Sequence, residues 1–297
     1  MSEELTEKKR KKRSFKGLYF FIFFTITCAT VFSFLTKNGQ QSFDAWRDRM
    51  QTNQNWLAFK LGQPLPGTPD LSKRNERLSA LNLKMGAPIF MRVFKLEGQL
   101  ELWMKGKEGF KLFATYPICR WSGRLGPKQK EGDRQSPEGF YVVHKYQLNP
   151  NSRWYRSFNL GYPNSFDKSY NRTGSFLMVH GGCSSIGCYA MTNPVMKEIW
   201  EVVTAAFKGG QKRFAVQAFP FRMTERNMRV YSNKSWAPFW QNLKAGYDLF
   251  EQSHVPPKVY VCNKTYKFKP GLLIEKNQDY NLKKQCPSDN GQLSSNT

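Results

Sequence analysis

The sequence predicts a mainly β fold with helices, a sandwich or barrel, set behind an N-terminal transmembrane helix and followed by a C-terminal helical extension. Three observations support that expectation. Six short runs, 88–94, 100–104, 110–116, 139–145, 176–180 and 213–219, are rich in aromatic and branched residues and bounded by turn residues. Two helical periods interrupt or follow them, at 193–209 and 235–252. A run of 19 residues without a charge, 17–35, is long enough to cross a bilayer as a helix.

Taken from the N-terminus, residues 1–16 form a basic segment, Lys8-Lys9-Arg10-Lys11-Lys12-Arg13 with Lys16, expected to stay in the cytoplasm. Residues 17–35 then read as a signal-anchor. A cleaved signal peptide is the rival, but the run is longer than the usual signal core and no small-x-small site follows it. Thr25-Ile26-Thr27 ahead of Cys28 is a poor lipoprotein signal. Either reading exports the rest of the chain. Residues 36–82 are polar, with the turn-rich Gln63-Pro64-Leu65-Pro66-Gly67-Thr68-Pro69, and read as a stalk that is partly helical over 44–61.

A catalytic-type domain is expected over 83–220, with a Gly-, Pro- and Lys-rich loop at 120–138. In its helix, Asn193 can cap, Pro194 suits the first turn and Gly209 can end it, with Met196, Trp200, Val203 and Phe207 on the buried face. Residues 221–276 form the extension. It contains a helix burying Trp236, Phe239, Leu243, Tyr247 and Phe250, then a hairpin turning at Asn263-Lys264. Residues 277–297 are polar and expected to be disordered.

Charge and cysteines narrow the function. The net charge is +24; the seven basic and three acidic residues before Gly17 account for four of those charges, leaving +20 on the exported part. Such a surface suits an anionic lipid or cell-wall polymer, or simply solubility, and export argues against nucleic acid. Five cysteines, Cys119, Cys183, Cys188, Cys262 and Cys286, are exported, so at least one thiol is unpaired unless two chains are bridged. Catalysis is one reason to keep it.

The segment Phe176-Leu177-Met178-Val179-His180-Gly181-Gly182-Cys183-Ser184-Ser185-Ile186-Gly187-Cys188-Tyr189 runs from an apolar strand into a histidine, a glycine-bearing loop and a cysteine. Contact between His180 and Cys188 lets the imidazole generate a thiolate. Gly181, Gly182 and Gly187 allow backbone turns that aim N–H groups at an oxyanion. Spacing alone leaves other readings open, among them a structural cysteine pairing such as Cys183–Cys188, or zinc bound by His180, Cys183, Cys188 and Cys119. The spacing matches no common zinc pattern. His144 and His254 read as structural histidines.

These motifs, with Ser136-Pro137-Glu138-Gly139-Phe140-Tyr141 upstream, resemble the L,D-transpeptidase (YkuD) catalytic-domain family. The resemblance covers roughly 83–262. It is strongest to the YafK-like branch, on Cys119-Arg120-Trp121-Ser122-Gly123, Leu125-Gly126-Pro127-Lys128-Gln129, Gly132-Asp133, Ser185-Ile186-Gly187-Cys188-Tyr189-Ala190-Met191-Thr192-Asn193 and Pro220-Phe221-Arg222-Met223-Thr224. It implies a YkuD-like fold and a catalytic pair of Cys188 and His180. It further implies Ser185, Gly187 and Gly181 as loop or oxyanion residues, Arg222 and Tyr189 near substrate, and no cofactor or metal. The implied setting is a bacterial inner membrane, single pass, with the domain in the periplasm acting on peptidoglycan stem peptides. Two departures stand out. Most members carry an arginine two residues after the cysteine, where this chain has Ala190, and their histidine-to-cysteine loop is longer; Arg222, or a lysine of the basic surface, is the expected source of the missing charge. The implied reaction is hydrolysis of the amide joining a lipoprotein to peptidoglycan. Cross-linking by L,D-transpeptidation is the second expectation, and a non-catalytic, membrane-tethered wall-binding module the third.

Overall fold

The computed structural model describes residues 36–272 together with Tyr19, Phe23, Thr25, Ile26, Thr27 and Cys286. Segment 1–16, most of the apolar run 17–35 and all of the tail 277–297 except Cys286 therefore lie outside the described residues. Among the described residues no helix is long and apolar enough to cross a membrane.

Alternating apolar runs form the central sheet. Strands β1 (Ile89–Phe94), β2 (Gln99–Lys105) and β3 (Phe110–Pro117) make an antiparallel meander. β4 (Gly139–His144) forms the opposite edge. β5 (Leu148–Asn149), β6 (Ser157–Asn159), β7 (Met178–His180) and β8 (Tyr189–Ala190) make a second, four-stranded sheet in that order. The chain then returns to the first sheet as β9 (Arg213–Phe219), parallel to β1 and antiparallel to β4, giving the order β3-β2-β1-β9-β4. β1 is buried at all six positions, as expected of a strand covered on both faces.

The six expected strands are all present, but the architecture is mixed rather than mainly β, and both sheets are open, so no barrel forms. The two sheets share one core. Val93, Tyr141 and Val216 of the first lie in the same buried cluster as Phe158, Val179 and Tyr189 of the second. Phe158 meets Phe214 edge-on at 5.5 Å between centroids.

Helices account for the difference. α1 (Lys37–Lys60) begins where Thr36 Oγ1 accepts the Gly39 N–H at 3.1 Å. The sequence suggested a stalk here; instead the helix docks on the domain. Gln41 Nε2 donates to the Val230 carbonyl, and the Tyr231 hydroxyl donates to Asp44. The buried Asn55 donates to the Ile118 carbonyl at 3.2 Å. Polar side chains spaced along α1 thus satisfy buried carbonyls, so a composition that looked solvated is partly an interface. α2 (Arg74–Ala80) and α3 (Ser165–Ser169) are short.

α4 (Asn193–Lys208) carries the chain from β8 to β9. Its N-cap is Thr192, not the expected Asn193, and Gly209 ends it as expected. Its buried face includes Met196, Trp200 and Val203, and also Glu198, which binds Arg77 and the Tyr116 hydroxyl. α5 (Glu225–Val230) precedes α6 (Ala237–Ser253), which buries Trp240, Leu243, Tyr247 and Phe250. Trp240 takes the buried place expected of Trp236. β10 (Lys258–Cys262) and β11 (Thr265–Lys269) form the expected hairpin, with Asn263 and Lys264 both at positive φ.

Replacing Asn55 by Ala leaves the Ile118 carbonyl unpaired. We expect a loss of about 1–3 kcal/mol in chemical denaturation. Hydrogen exchange should accelerate across 37–60 while β1 and β9 keep their protection. Identical exchange in both proteins would mean that α1 is a free spacer.

Candidate active site

The site is built where β7 and β8 run side by side. Their parallel register pairs Val179 with Tyr189 and His180 with Ala190. Extending that register by one residue sets Cys188 opposite Met178, on the same face as His180 and diagonally across from it. Diagonal neighbours in a sheet are about 7–8 Å apart. No hydrogen bond joins the two side chains in this state. The Met178 N–H points at Cys188 Sγ at 3.4 Å, and the thiol points at the Phe176 carbonyl at 3.7 Å.

His180 is buried, and its Nδ1 lies 2.5 Å from the Gly181 carbonyl. A carbonyl can only accept, so Nδ1 carries the proton and Nε2 is left as a base. Trp154 stacks over the ring at 6.1 Å. Burial pushes the His180 pKa below its ordinary value, with the Gly181 carbonyl opposing it. Burial pushes the Cys188 thiol up, opposed by the Met178 N–H and the charge of Lys128. Both effects favour a neutral thiol and a neutral imidazole at rest.

The loop between them is pinned at several points. Cys183, at φ +48°, is bonded to Cys119 at the end of β3, with 5.2 Å between their Cα atoms. Cys262 is bonded to Cys286, leaving Cys188 as the free cysteine among the described residues. The odd count expected from sequence is thereby resolved. A Cys183–Cys188 pairing is ruled out, and two of the four suggested zinc ligands are used by a disulfide.

Three serines gather behind Cys188. Ser185 Oγ and Ser136 Oγ both donate to the Cys188 carbonyl, at 2.7 and 3.1 Å. Ser122 Oγ accepts the Gly187 N–H at 2.6 Å and lies 3.1 Å from Ser185 Oγ. Gly187 sits at φ +116°, a conformation that favours glycine.

Several expected roles change. The Gly187 amide is held by Ser122, and the Gly181 amide by the Tyr155 carbonyl at 3.2 Å, so neither is free for an oxyanion. Gly181 contributes its carbonyl instead, as the group that orients His180. Tyr189 is fully buried, its hydroxyl donating to the Pro137 carbonyl at 2.5 Å, and offers no surface to a substrate. Arg222 is held by Glu101 at 2.7 Å and Gln99 at 2.8 Å, over the Phe94 ring. Those pairings occupy its charge, so it does not replace the arginine missing at Ala190. By backbone pairing the cation beside Ala190 is Arg120, bridged to it by reciprocal bonds of 3.1 and 2.8 Å.

Sequence reasoning missed Ser122, Ser136 and the Met178 amide. The Ser-Pro-Glu-Gly motif gave a signal for Ser136. A backbone donor gives none.

His180 ends β7, Cys188 immediately precedes β8, and both fall within residues 93–217, which match YkuD, the L,D-transpeptidase catalytic domain. The chain is 48% identical over 210 residues to YafK of Escherichia coli (strain K12), an L,D-transpeptidase by name, covering 71% of this chain and 83% of that protein. The counterpart in Escherichia coli O157:H7 matches to the same extent. This chain belongs to the L,D-transpeptidase family. Among solved structures, the K307A mutant of the helical cell shape determining protein Pgp2 from Campylobacter jejuni is 20% identical, covers 61% of this chain and 67% of that one, and has a TM-score of 0.38.

Two measurements check this geometry. In peptide-resolved alkylation without reductant, Cys188 should label while Cys119, Cys183, Cys262 and Cys286 label only after reduction. Iodoacetamide labelling of Cys188 should rise about tenfold per pH unit between pH 6.5 and 9, as a thiol with an elevated pKa requires. A plateau already reached by pH 7 would show a preformed thiolate.

Proposed function

We propose that this chain is a peptidoglycan-acting cysteine enzyme that hydrolyses the amide joining diaminopimelate of a stem peptide to the terminal lysine of a lipoprotein. The observation that carries the reading is the free Cys188 thiol on one sheet face with a histidine whose Nδ1 is fixed by the Gly181 carbonyl. The kinship with YafK supports a peptidoglycan-acting enzyme of the L,D-transpeptidase family, and Ala190, at the position where most of the family places arginine, favours hydrolysis over ordinary cross-linking.

Cys188 Sγ attacks the diaminopimelate carbonyl carbon while His180 Nε2 takes the thiol proton. The Cys188 N–H would hold the oxyanion. The C–N bond then breaks, and His180 returns the proton to the departing lysine amine, leaving a thioester. Water, deprotonated by His180, attacks the thioester, releasing the diaminopimelate carboxylic acid and regenerating the thiol. If an amine from another stem takes the place of water, the same intermediate yields a cross-link. The apolar run 17–35 anchors the enzyme in the inner membrane with its domain in the periplasm, and the wall and its bound lipoprotein are its partners.

Peptidoglycan carrying bound lipoprotein, incubated with the enzyme, should release lipoprotein ending in a free lysine by mass analysis. Cys188→Ala should abolish release, and His180→Ala should lower kcat/KM by about 10²–10⁴-fold. New diaminopimelate–diaminopimelate links without release would identify a transpeptidase instead. Because imidazolium cannot accept the thiol proton and burial lowers the His180 pKa, the acid limb of kcat/KM should lie below pH 6.5.

A further inference from the structure

A cavity of about 1090 Å³ lies beside the catalytic loop, between α1, the 120–134 segment and the start of α6. Ser185 and Ile186, three and two residues before Cys188, form part of its wall, as does Ser122, which holds the Gly187 amide. The cavity thus adjoins the reactive loop.

Its electrostatics are one-sided. Arg49, Arg120, Arg124, Arg134 and Lys234 line it, against one acid, Asp48. None of the five cations forms an ion pair among the described residues, whereas Arg77, Arg92, Arg172 and Arg222 are each paired with a carboxylate. Burial also pushes Asp48 up to about 6, which weakens the one acid as a competitor for the cations. Cations clustered on low-dielectric walls raise the local potential and draw an anion.

The apolar part of the wall is aromatic. Trp121 and Trp236 both face the cavity. Trp236 is seated against Gly126 so closely that a Cβ there would lie 2.6 Å from its Nε1. Gly126 itself is held by Glu138, so the wall is rigid. An aliphatic chain ending in an anion would lie along these rings with its charge among the arginines.

We infer that this cavity binds the amine-side group of the substrate, a peptide whose terminal lysine presents its α-carboxylate to Arg124, Arg134 and their neighbours. The inference rests on the hydrolase reading: a lysine joined through its side-chain amine still carries a free carboxylate one side chain away from the scissile amide. The carboxylate is then both a handle and a test that the attached chain ends there. A lysine inside a chain has no such charge and is rejected. α1, with Arg49, forms one wall of the site.

Two readouts separate this inference from the function beneath it. The first is binding of a short peptide ending in free lysine to the full chain carrying Cys188→Ala, followed by tryptophan fluorescence. The free acid should bind at least tenfold more tightly than its C-terminal carboxamide. Arg124→Ala with Arg134→Ala should reduce that ratio to below twofold; both side chains are exposed, and a matching melting curve confirms the fold. Lys234→Ala supplies an independent partial loss. The second is hydrolysis by the active enzyme of two synthetic diaminopimelyl–lysine amides, one with the lysine α-carboxylate free and one amidated, where kcat/KM should favour the free acid about tenfold. Equal binding of acid and carboxamide overturns the inference, even where hydrolysis proceeds. Selective binding with no cleavage of either substrate upholds the subsite and overturns the hydrolase.

Discussion

Lys95 and Glu138 are both fully inaccessible to solvent, and the ion pair between them at 2.9 Å organises the loop from which the site is built. The ammonium, with three protons, has four oxygen partners: the carbonyls of Arg124, Gly126 and Ser136, and Glu138 Oε1. Glu138 in turn accepts the Gly126 N–H at 2.7 Å and the Trp240 indole N–H at 2.8 Å. Burial depresses the Lys95 pKa, and Glu138 opposes that shift. Such a pair adds little over a well-packed apolar alternative, but breaking it costs about 3–5 kcal/mol because it strands a buried charge. Its effect is to select one arrangement of the 120–138 loop from the many open to a glycine-rich segment.

That arrangement is what the thiol leans on. Ser122 and Ser136 lie on the selected loop, linked by Ser136 N–H to the Ser122 carbonyl at 2.9 Å and Ser122 N–H to Ser136 Oγ at 3.1 Å. They reach across to the Gly187 amide and the Cys188 carbonyl. From the other side the Cys119–Cys183 bond ties the reactive loop to the end of β3. A short loop gains its shape from partners far apart in sequence, and those partners are fixed by a charge pair that never meets substrate.

How much of this was legible follows from what each signal depends on. Strand β1, the helix over 193–208 and the hairpin at 263–264 were readable because period, turn residues and apolar content are local properties. The candidate pair Cys188 and His180 was readable from residue type and one loop. α1 was misread because its polar side chains satisfy carbonyls of residues 118 and 230, a long-range fact invisible in composition. Arg222 and Tyr189 were placed near substrate by resemblance, and geometry assigns them elsewhere: the charge of Arg222 is held by Glu101, and the ring of Tyr189 is in the core. The oxyanion expectation named glycines whose amides have other partners, because sequence says which backbones can turn but not where their N–H groups end.

The positions of those donors also bear on how the proposed reaction would start. Burial favours the neutral thiol and the neutral imidazole, so the proposed attack would be coupled to proton transfer rather than proceed from a waiting thiolate. What the protein supplies is orientation. The Met178 amide points at Sγ, and the Gly181 carbonyl holds Nδ1, both backbone groups in or beside the three-residue strand β7. Pairing with β6 on one side and β8 on the other fixes that strand. A side-chain orienter, such as a carboxylate, would add a buried negative charge and raise the imidazole pKa; a carbonyl orients the ring while leaving it a weak base. A weak base near a desolvated thiol leaves the sulfur protonated, and a protonated sulfur is less readily oxidised than a thiolate.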